Sequence, residues 1–391
     1  MQPAFDAITR AIAGIDSPVI TVFSYFLDYY AQLLFILPIL YLMFAVVRGR
    51  LGKRRLSMRQ VLARESTAVN LVLAMALSLG IAFAIKYFAG IPRPCAIDPS
   101  YTVYTCPDAP DTSFPSGHST IAATLLASQL GSPAFPLFFV LNLMIGFSRI
   151  NLGVHFLNDV LAGFVIGFFS YDIVSRLRSR GTLSIHKPEP TDTAFEFRRQ
   201  LLHVTVGLVL VAALQAFSIQ YGDNGRIYLE FVIFAGLQAI LLLMNHWHTT
   251  GGRGVLRVLL GLFERRGSRP GYGAFWYGMG ILFAFVFLSS KPFLAATIIA
   301  LGVGDGVATM AGVYGTHINP FNRSKTVEGT LAFFASVALL SLMFLEPWLA
   351  ITIAAITAAV ESLPPKFDDN FTVPLACILL YFALSAAGIL V

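Results

Sequence analysis

TAVNLVLAMALSLGIAFAIKYFAGIPRP, residues 67–94, is an apolar run that carries two cations toward its end, Lys86 and Arg93. About 20 apolar residues at 1.5 Å per residue cross the ~30 Å hydrocarbon core of a bilayer. The stretch therefore reads as a membrane span that brings Lys86 to a water face. Charges are costly at membrane depth and mark function when they occur there. Two further polar pieces follow among the next apolar segments. One is Pro115-Ser116-Gly117-His118; the other is Ser148-Arg149, then five residues to His155 and three more to Asp159. Lys86, Arg93 and Arg149 suit a phosphate, since Arg offers a planar fork and Lys a compact point charge. His155 and Asp159 lie four apart, on one face if a helix starts there. The carboxylate could then hold one imidazole nitrogen protonated and leave the other free to attack. His118 follows a Pro-Ser-Gly turn that opens a helix, so backbone N–H groups would point at an anion.

In order and spacing these three pieces resemble the signature of the type-2 phosphatidic acid phosphatase superfamily, and every signature position is filled. The resemblance implies that His155 is a nucleophile that becomes a phosphohistidine, oriented by Asp159. It makes His118 the group that protonates the leaving oxygen. Lys86, Arg93 and Arg149 would bind the phosphoryl oxygens, helped by Ser116 and the backbone of Gly117. Such enzymes need no metal or other cofactor.

Composition sets the fold class. Of 391 residues, 56% are hydrophobic and 12% charged, about half the charged share of a soluble domain. Successive apolar runs then read as an all-α polytopic membrane protein, with ~12 transmembrane helices in two helical bundles. This excludes a soluble enzyme with a single anchor. The net charge of +6 does not call for nucleic acid; it reports cytoplasmic loops and contact with anionic lipid. Three cysteines make neither a disulfide framework nor a zinc pattern. Cys95 and Cys106 flank one polar loop, where a bridge and two separate thiols are equally open readings.

Positive charge orients the chain. Residues 1–17 read as an interfacial helix and roughly 19–47 as a span. RGRLGKRRLSMRQVLARE, residues 48–65, is the densest basic run and marks a cytoplasmic loop. Alternation then takes the span at 67–89 outward, returns the chain from about 115, and starts the last span of this half at His155. All three motif pieces meet at one extracytoplasmic face. Domain boundaries follow: 1–180 a phosphatase-like domain, 181–194 a polar, Pro-containing linker, and 195–391 a second domain of about seven spans. In this second half the polar loops 245–272, 315–330 and 364–372 all fall on the cytoplasmic side. The protein is thus expected to be a multi-pass protein of the plasma membrane with two sites on opposite faces.

The second half carries its own chemistry. Gly304-Asp305-Gly306 puts a carboxylate inside an apolar helix. Asn322-Arg323-Ser324-Lys325-Thr326-Val327-Glu328-Gly329 combines two cations, hydroxyls and a carboxylate in a loop that could cradle a triphosphate and its magnesium. Glu361 and Asp368-Asp369-Asn370 add hard oxygen ligands of the kind Mg²⁺ takes. No Walker A pattern is present. On spacing alone these residues read equally as charged loop ends and a helix-packing Gly-Asp-Gly. However, Arg198-Arg199 with His203, Glu264 to Gly271 running into Gly273-Ala274-Phe275-Trp276, Gly304-Asp305, Lys325 to Gly329, Glu361, and Asp368-Asp369-Asn370 with Pro374 resemble the polyprenol (dolichol and phytol) kinase family. That family includes CTP-dependent diacylglycerol kinases. The resemblance implies CTP as donor, Mg²⁺ as cofactor and a lipid alcohol as acceptor. It assigns Arg323, Lys325, Thr326, Gly329, Arg198 and Arg199 to the nucleotide, with Glu328 supporting Lys325. Asp305 and Asp368 or Asp369 would hold metal or activate the hydroxyl, with Asp305 and Asp369 as the metal pair.

Together the halves imply a bifunctional membrane enzyme. One half would hydrolyse a polyprenyl (di)phosphate outside, and the other would phosphorylate a polyprenol from CTP inside. Both would supply polyprenyl monophosphate. A second reading substitutes phosphatidate and diacylglycerol as the lipids. A third, from another class, is a lipid transporter or scramblase.

Overall fold

The structure is a computed structural model and describes residues 7–31, 33–51, 57–98, 106, 112–178, 193–251, 271–363 and 368–390. Residues 181–192 of the expected linker and the stretch with Glu264, Arg269 and Pro270 lie outside these residues, whereas Thr193 and Ala194, placed in that linker, already belong to a helix. Among the described residues every regular element is helical, apart from one isolated antiparallel bridge between Ile318 and Thr326. The chain divides into two units, Met1–Ile185 and His186–Val391.

In the first unit, α1 (Ala7–Ala13), α2 (Pro18–Ala31), α3 (Leu33–Leu51) and α4 (Met58–Arg64) precede α5 (Ser66–Ala89). The apolar run at 19–47 is therefore carried by two helices. A capping box starts α4: Ser57 accepts from Gln60 N–H, and the Gln60 side chain answers to Ser57 N–H. Gly90, at φ +58°, closes α5 in the left-handed conformation that a side chain resists. The short α6 (Pro94–Ile97) follows Arg93. Then come α7 (Gly117–Ser128), α8 (Phe135–Asn151) and α9 (Leu157–Arg178). Helix α9 is the centre of this unit, buried almost continuously from Asp159 to Ser170 and packed on α5 and α7.

The α7–α9 contact is backbone against backbone. A Cβ added at Gly163 would stand 2.7 Å from the Ser116 carbonyl oxygen, and one at Gly167 2.5 Å from that of Thr120. Two glycines one turn apart let membrane helices approach this closely. They also seat the first turn of α7, which carries His118, directly on the helix that carries Asp159.

The second unit holds α10 (Thr193–Tyr221), α11 (Asn224–Thr250), α12 (Tyr272–Phe287), α13 (Lys291–Ile299), α14 (Asp305–Tyr314), α15 (Val327–Ser341), α16 (Pro347–Ser362) and α17 (Asp369–Ala386). A π-helical segment, Ala300–Gly304, joins α13 to α14. There α10 passes close by, for a Cβ on Gly302 would lie 2.8 Å from Gly207 Cα. Such π segments recur at functional sites.

Seven of the described helical segments are long and apolar enough to cross a membrane, and four further apolar helices are shorter. The expected span from residue 115 is the 12-residue α7, only ~18 Å long. Most of its residues from Ser119 to Leu126 are buried by its neighbours, so protein, not lipid, satisfies it. Lipid-facing character is plain elsewhere: Phe83, Leu137, Val209, Ile219 and Leu339 are all exposed.

Gly167→Val should lower the thermal midpoint in detergent, because overpacking costs about 1–3 kcal/mol. Gly80→Ala, whose Cβ would meet nothing within 4 Å, should leave it unchanged. Equal midpoints for both would contradict the close α7–α9 contact.

Candidate active sites

In the first unit, local turns bring the motif pieces together. Gly153, at φ +67°, turns the chain after α8, and His155 N–H donates to the Arg149 carbonyl at 3.2 Å. His155 thus lies in the turn ahead of α9, not within the helix as the four-residue spacing implied. The pair still forms: Asp159, in the first turn of α9, places Oδ2 3.3 Å from His155 Nδ1. The same Oδ2 accepts from Phe156 N–H at 2.8 Å and from the Ser113 hydroxyl. With Nδ1 held on this side, Nε2 is the free end of the ring, 3.5 Å from Arg93 Nη1.

The cations converge on it from separate elements. Arg93, buried ahead of α6, donates to the Val154 carbonyl at 3.0 Å. Lys86, in the last turn of α5, donates to the Thr112 and Ser113 carbonyls and so holds the segment carrying Ser113. Arg149, at the end of α8, contacts Asp28 of α2 through Nη1, while its Nε is buried without a hydrogen-bond partner among the described residues. His118 Nε2 stands 3.6 Å from the same Asp28 Oδ1. Ser116 is fully buried and caps α7, its Oγ accepting from Ser119 N–H. Its expected share in phosphate binding therefore competes with the cap. Gly117 opens α7, and a Cβ there would meet nothing within 4 Å, so a ligand can approach this helix start.

Cys95 and Cys106 are joined in a disulfide with Cα atoms 5.7 Å apart. Cys95 N–H also donates to the Gly153 carbonyl at 3.0 Å, which ties the bridge to the turn before His155.

His155 is buried among Arg93, Arg149 and Lys86. Burial first, and then these charges, push its protonation well below the ordinary histidine range.

The second unit gathers a different set. Ligand oxygens of Asp305, Glu361 and Asp369 lie within 4.8 Å of one another. Asp305 starts α14 after the π segment, Glu361 ends α16, and Asp369 starts α17. Lys325 Nζ reaches Glu361 Oε1 at 2.7 Å and Asp369 Oδ2 at 3.0 Å. Burial disfavours its charge, but Asp369 and Glu361 outweigh this and raise its proton affinity. Glu361 Oε2 is buried with no hydrogen-bond partner among the described residues. An orphaned carboxylate oxygen beside two more carboxylates fits a hard divalent cation such as Mg²⁺. His203 of α10 lies 3.7 Å from Asp305 Oδ2 and contacts the Leu301 carbonyl in the π segment at 3.1 Å. Tyr277 packs on its ring at 3.9 Å.

Other expected roles shift. Glu328 does not support Lys325; its carboxylate accepts from Thr316 N–H at 2.9 Å and pairs with His317 at 2.7 Å, shaping the loop instead. Thr326 caps α15 by accepting from Gly329 N–H, and Gly329 lets α15 approach the Ala308 carbonyl. Asp368 caps α17 and bonds Asn370, so Asp369 is the member of that pair in the carboxylate group. Arg199 pairs with Glu196 at 3.1 Å, while Arg198 and Arg323 are exposed. Ser113 and Asp28 went unread in the sequence: a lone Ser in a polar loop and a lone Asp in an apolar run give no local signal.

Residues 67–182 match the PAP2 superfamily. The C-terminal region is homologous to phytol kinases. Phytol kinase 1 of Arabidopsis thaliana is 28% identical over 200 residues, covering 46% of this chain and 64% of that protein. An uncharacterized protein of Methanocaldococcus jannaschii is 29% identical over 182 residues, covering 46% of this chain and 88% of that one. An undecaprenyl-diphosphatase of Sulfolobus acidocaldarius is 28% identical over 119 residues, covering 29% and 57%. The chain spans about two thirds of the length of the phytol kinases it matches, between 64% and 67% for those of Arabidopsis thaliana and Zea mays.

Because its folded proton affinity is depressed, His155 should remain neutral at pH 6.5, where an unfolded histidine is half protonated. Its contribution to stability is then present above that pH and lost as the pH falls further. Nitrogen NMR of histidine-labelled protein, compared with His155→Gln, should assign to His155 a ring whose neutral signals persist as the pH falls through 6.5. A titration near 6.5 would contradict the burial described.

Proposed function

We propose that this chain is a bifunctional integral membrane enzyme of isoprenoid lipid phosphates. One half is a phosphatase centred on His155, and the other is a kinase centred on Lys325 and Asp305. The observation that carries this reading is that each unit holds its own phosphate-handling constellation. One is a histidine–carboxylate pair ringed by cations, and the other is a carboxylate trio with a lysine. The relatives support the substrate class, since undecaprenyl and phytyl chains are both isoprenoid. That favours polyprenyl phosphates over phosphatidate and diacylglycerol.

In the phosphatase half, His155 Nε2 attacks phosphorus while Asp159 keeps the proton on Nδ1 and stabilises the ring as it gains charge. The bond from phosphorus to the lipid or leaving phosphate oxygen breaks, and His118 gives that oxygen its proton. Arg93, Arg149 and Lys86 neutralise the phosphoryl oxygens. Water then loses a proton to His118, attacks phosphorus and releases His155.

In the kinase half, CTP would be the donor and a polyprenol the acceptor. Asp305, Glu361 and Asp369 would hold Mg²⁺, which supplies charge neutralisation on the phosphate oxygens when bound. Lys325 would meet the transferring phosphoryl group, and His203 beside Asp305 would sit near the incoming hydroxyl. Both halves would then supply polyprenyl monophosphate. The basic run at 48–65 and the arginines of the second half favour an extracytoplasmic phosphatase site and a cytoplasmic kinase site in the plasma membrane.

The test is separation of activities. His155→Ala should abolish release of phosphate from a polyprenyl diphosphate, a loss on the order of 10³-fold or more, yet leave CTP-dependent phosphorylation of a polyprenol. Lys325→Ala should do the reverse, and EDTA should silence only the kinase. Joint loss in either variant would overturn the two-site reading.

A further inference from the structure

Helix α2 lies outside residues 67–182, the stretch that matches the superfamily. It nevertheless places one carboxylate in the phosphatase site. Asp28 Oδ1 touches Arg149 Nη1 and stands 3.6 Å from His118 Nε2. We propose that Asp28 is the positioning residue for the leaving-group step, orienting His118 and opposing the loss of its proton so that it can give that proton to a poor leaving oxygen. This rests on the phosphatase reading above.

The reason is electrostatic. Burial acts most strongly against a proton on His118, and the charged groups around it come from four elements: Arg149 from α8, Asp28 from α2, Arg93 ahead of α6 and Lys86 from α5. Three are cations, which serve the phosphate but drive a proton off a neighbouring imidazole. Asp28 is the anion among them. Asp159 cannot serve this purpose, because its oxygen is engaged by His155, Ser113 and Phe156 N–H. The site therefore holds two histidine–carboxylate pairs with opposite tasks. Asp159 serves the ring that attacks; Asp28 serves the ring that donates. At 3.6 Å the Asp28 contact is not a tight hydrogen bond, so a leaving oxygen can take the Nε2 proton without first breaking a short contact. Asp28 itself neither gains nor loses a proton. The proton passes from His118 to the departing oxygen and is replaced from the attacking water.

The test uses the full chain in detergent with two substrates that share one alkyl tail: an alkyl phosphate and a nitrophenyl phosphate bearing that tail. The alkoxide needs a proton to leave, whereas the nitrophenolate does not. The quantity read is kcat/KM, which reports the step up to phosphohistidine formation. Asp28→Asn should lower it about 10- to 100-fold for the alkyl ester, within the ~10²- to 10⁴-fold range of general acids. It should change less than about threefold for the aryl ester, and Asp28→Glu should recover most of the loss. A purely structural role, through a misplaced Arg149, would lower both substrates equally and overturn the proposal. So would an unchanged alkyl rate, or a lowered KM for both esters, which would make Asp28 only a competitor of the phosphate. Hydrolysis of neither ester by the unaltered protein would instead overturn the phosphatase reading, and this proposal with it.

Discussion

An ionised side chain enclosed by apolar helices persists only where an opposite charge or a set of hydrogen bonds replaces the water it has lost. That constraint organises both units. Arg149 is buried against Asp28, and Asp159 is held by a hydroxyl, a backbone N–H and His155. Lys325 lies between Glu361 and Asp369. Removing one partner of such a set leaves an uncompensated charge, which costs about 3–5 kcal/mol. The same groups that make phosphate chemistry feasible are therefore the ones that make the helices fit together.

The second requirement is that polar groups from different helices meet at helix ends, where backbone is free to turn. His155 sits in the turn between α8 and α9, Arg93 just before α6, and His118 in the first turn of α7. Asp305 begins α14 where the π segment ends, and Asp369 begins α17. Helix starts also offer unsatisfied N–H groups to anions. Within the first unit, the close α7–α9 seam then seats the helix start that carries His118 on the one that carries Asp159.

Reading the residues in order reached much of this. The three motif pieces carry their geometry locally: a cap, a turn and a four-residue spacing. They could be assigned before any fold was known. The seven apolar runs of the second half also coincide with its eight described helices, one run being shared by α13, the π segment and α14. What escaped was long-range. Asp28 is 121 residues from Arg149, and Ser113 is 46 from Asp159. Neither looks unusual beside its own neighbours. The resemblance gave Glu328 as the support of Lys325, three residues away, but its helix turns it toward Thr316 and His317.

The sequence by itself determined that the chain lies in a membrane, that it is helical, and which residue types can handle phosphate. Hydropathy and motif spacing are properties of short stretches, and those outcomes depend only on them. The tertiary structure decided which carboxylate serves which cation: Asp369 over Asp368, Glu361 over Glu328, and Asp28 for Arg149 and His118. Pairing is settled by where helix ends come to rest in space, and adjacent residues on one helix start can point to opposite fates.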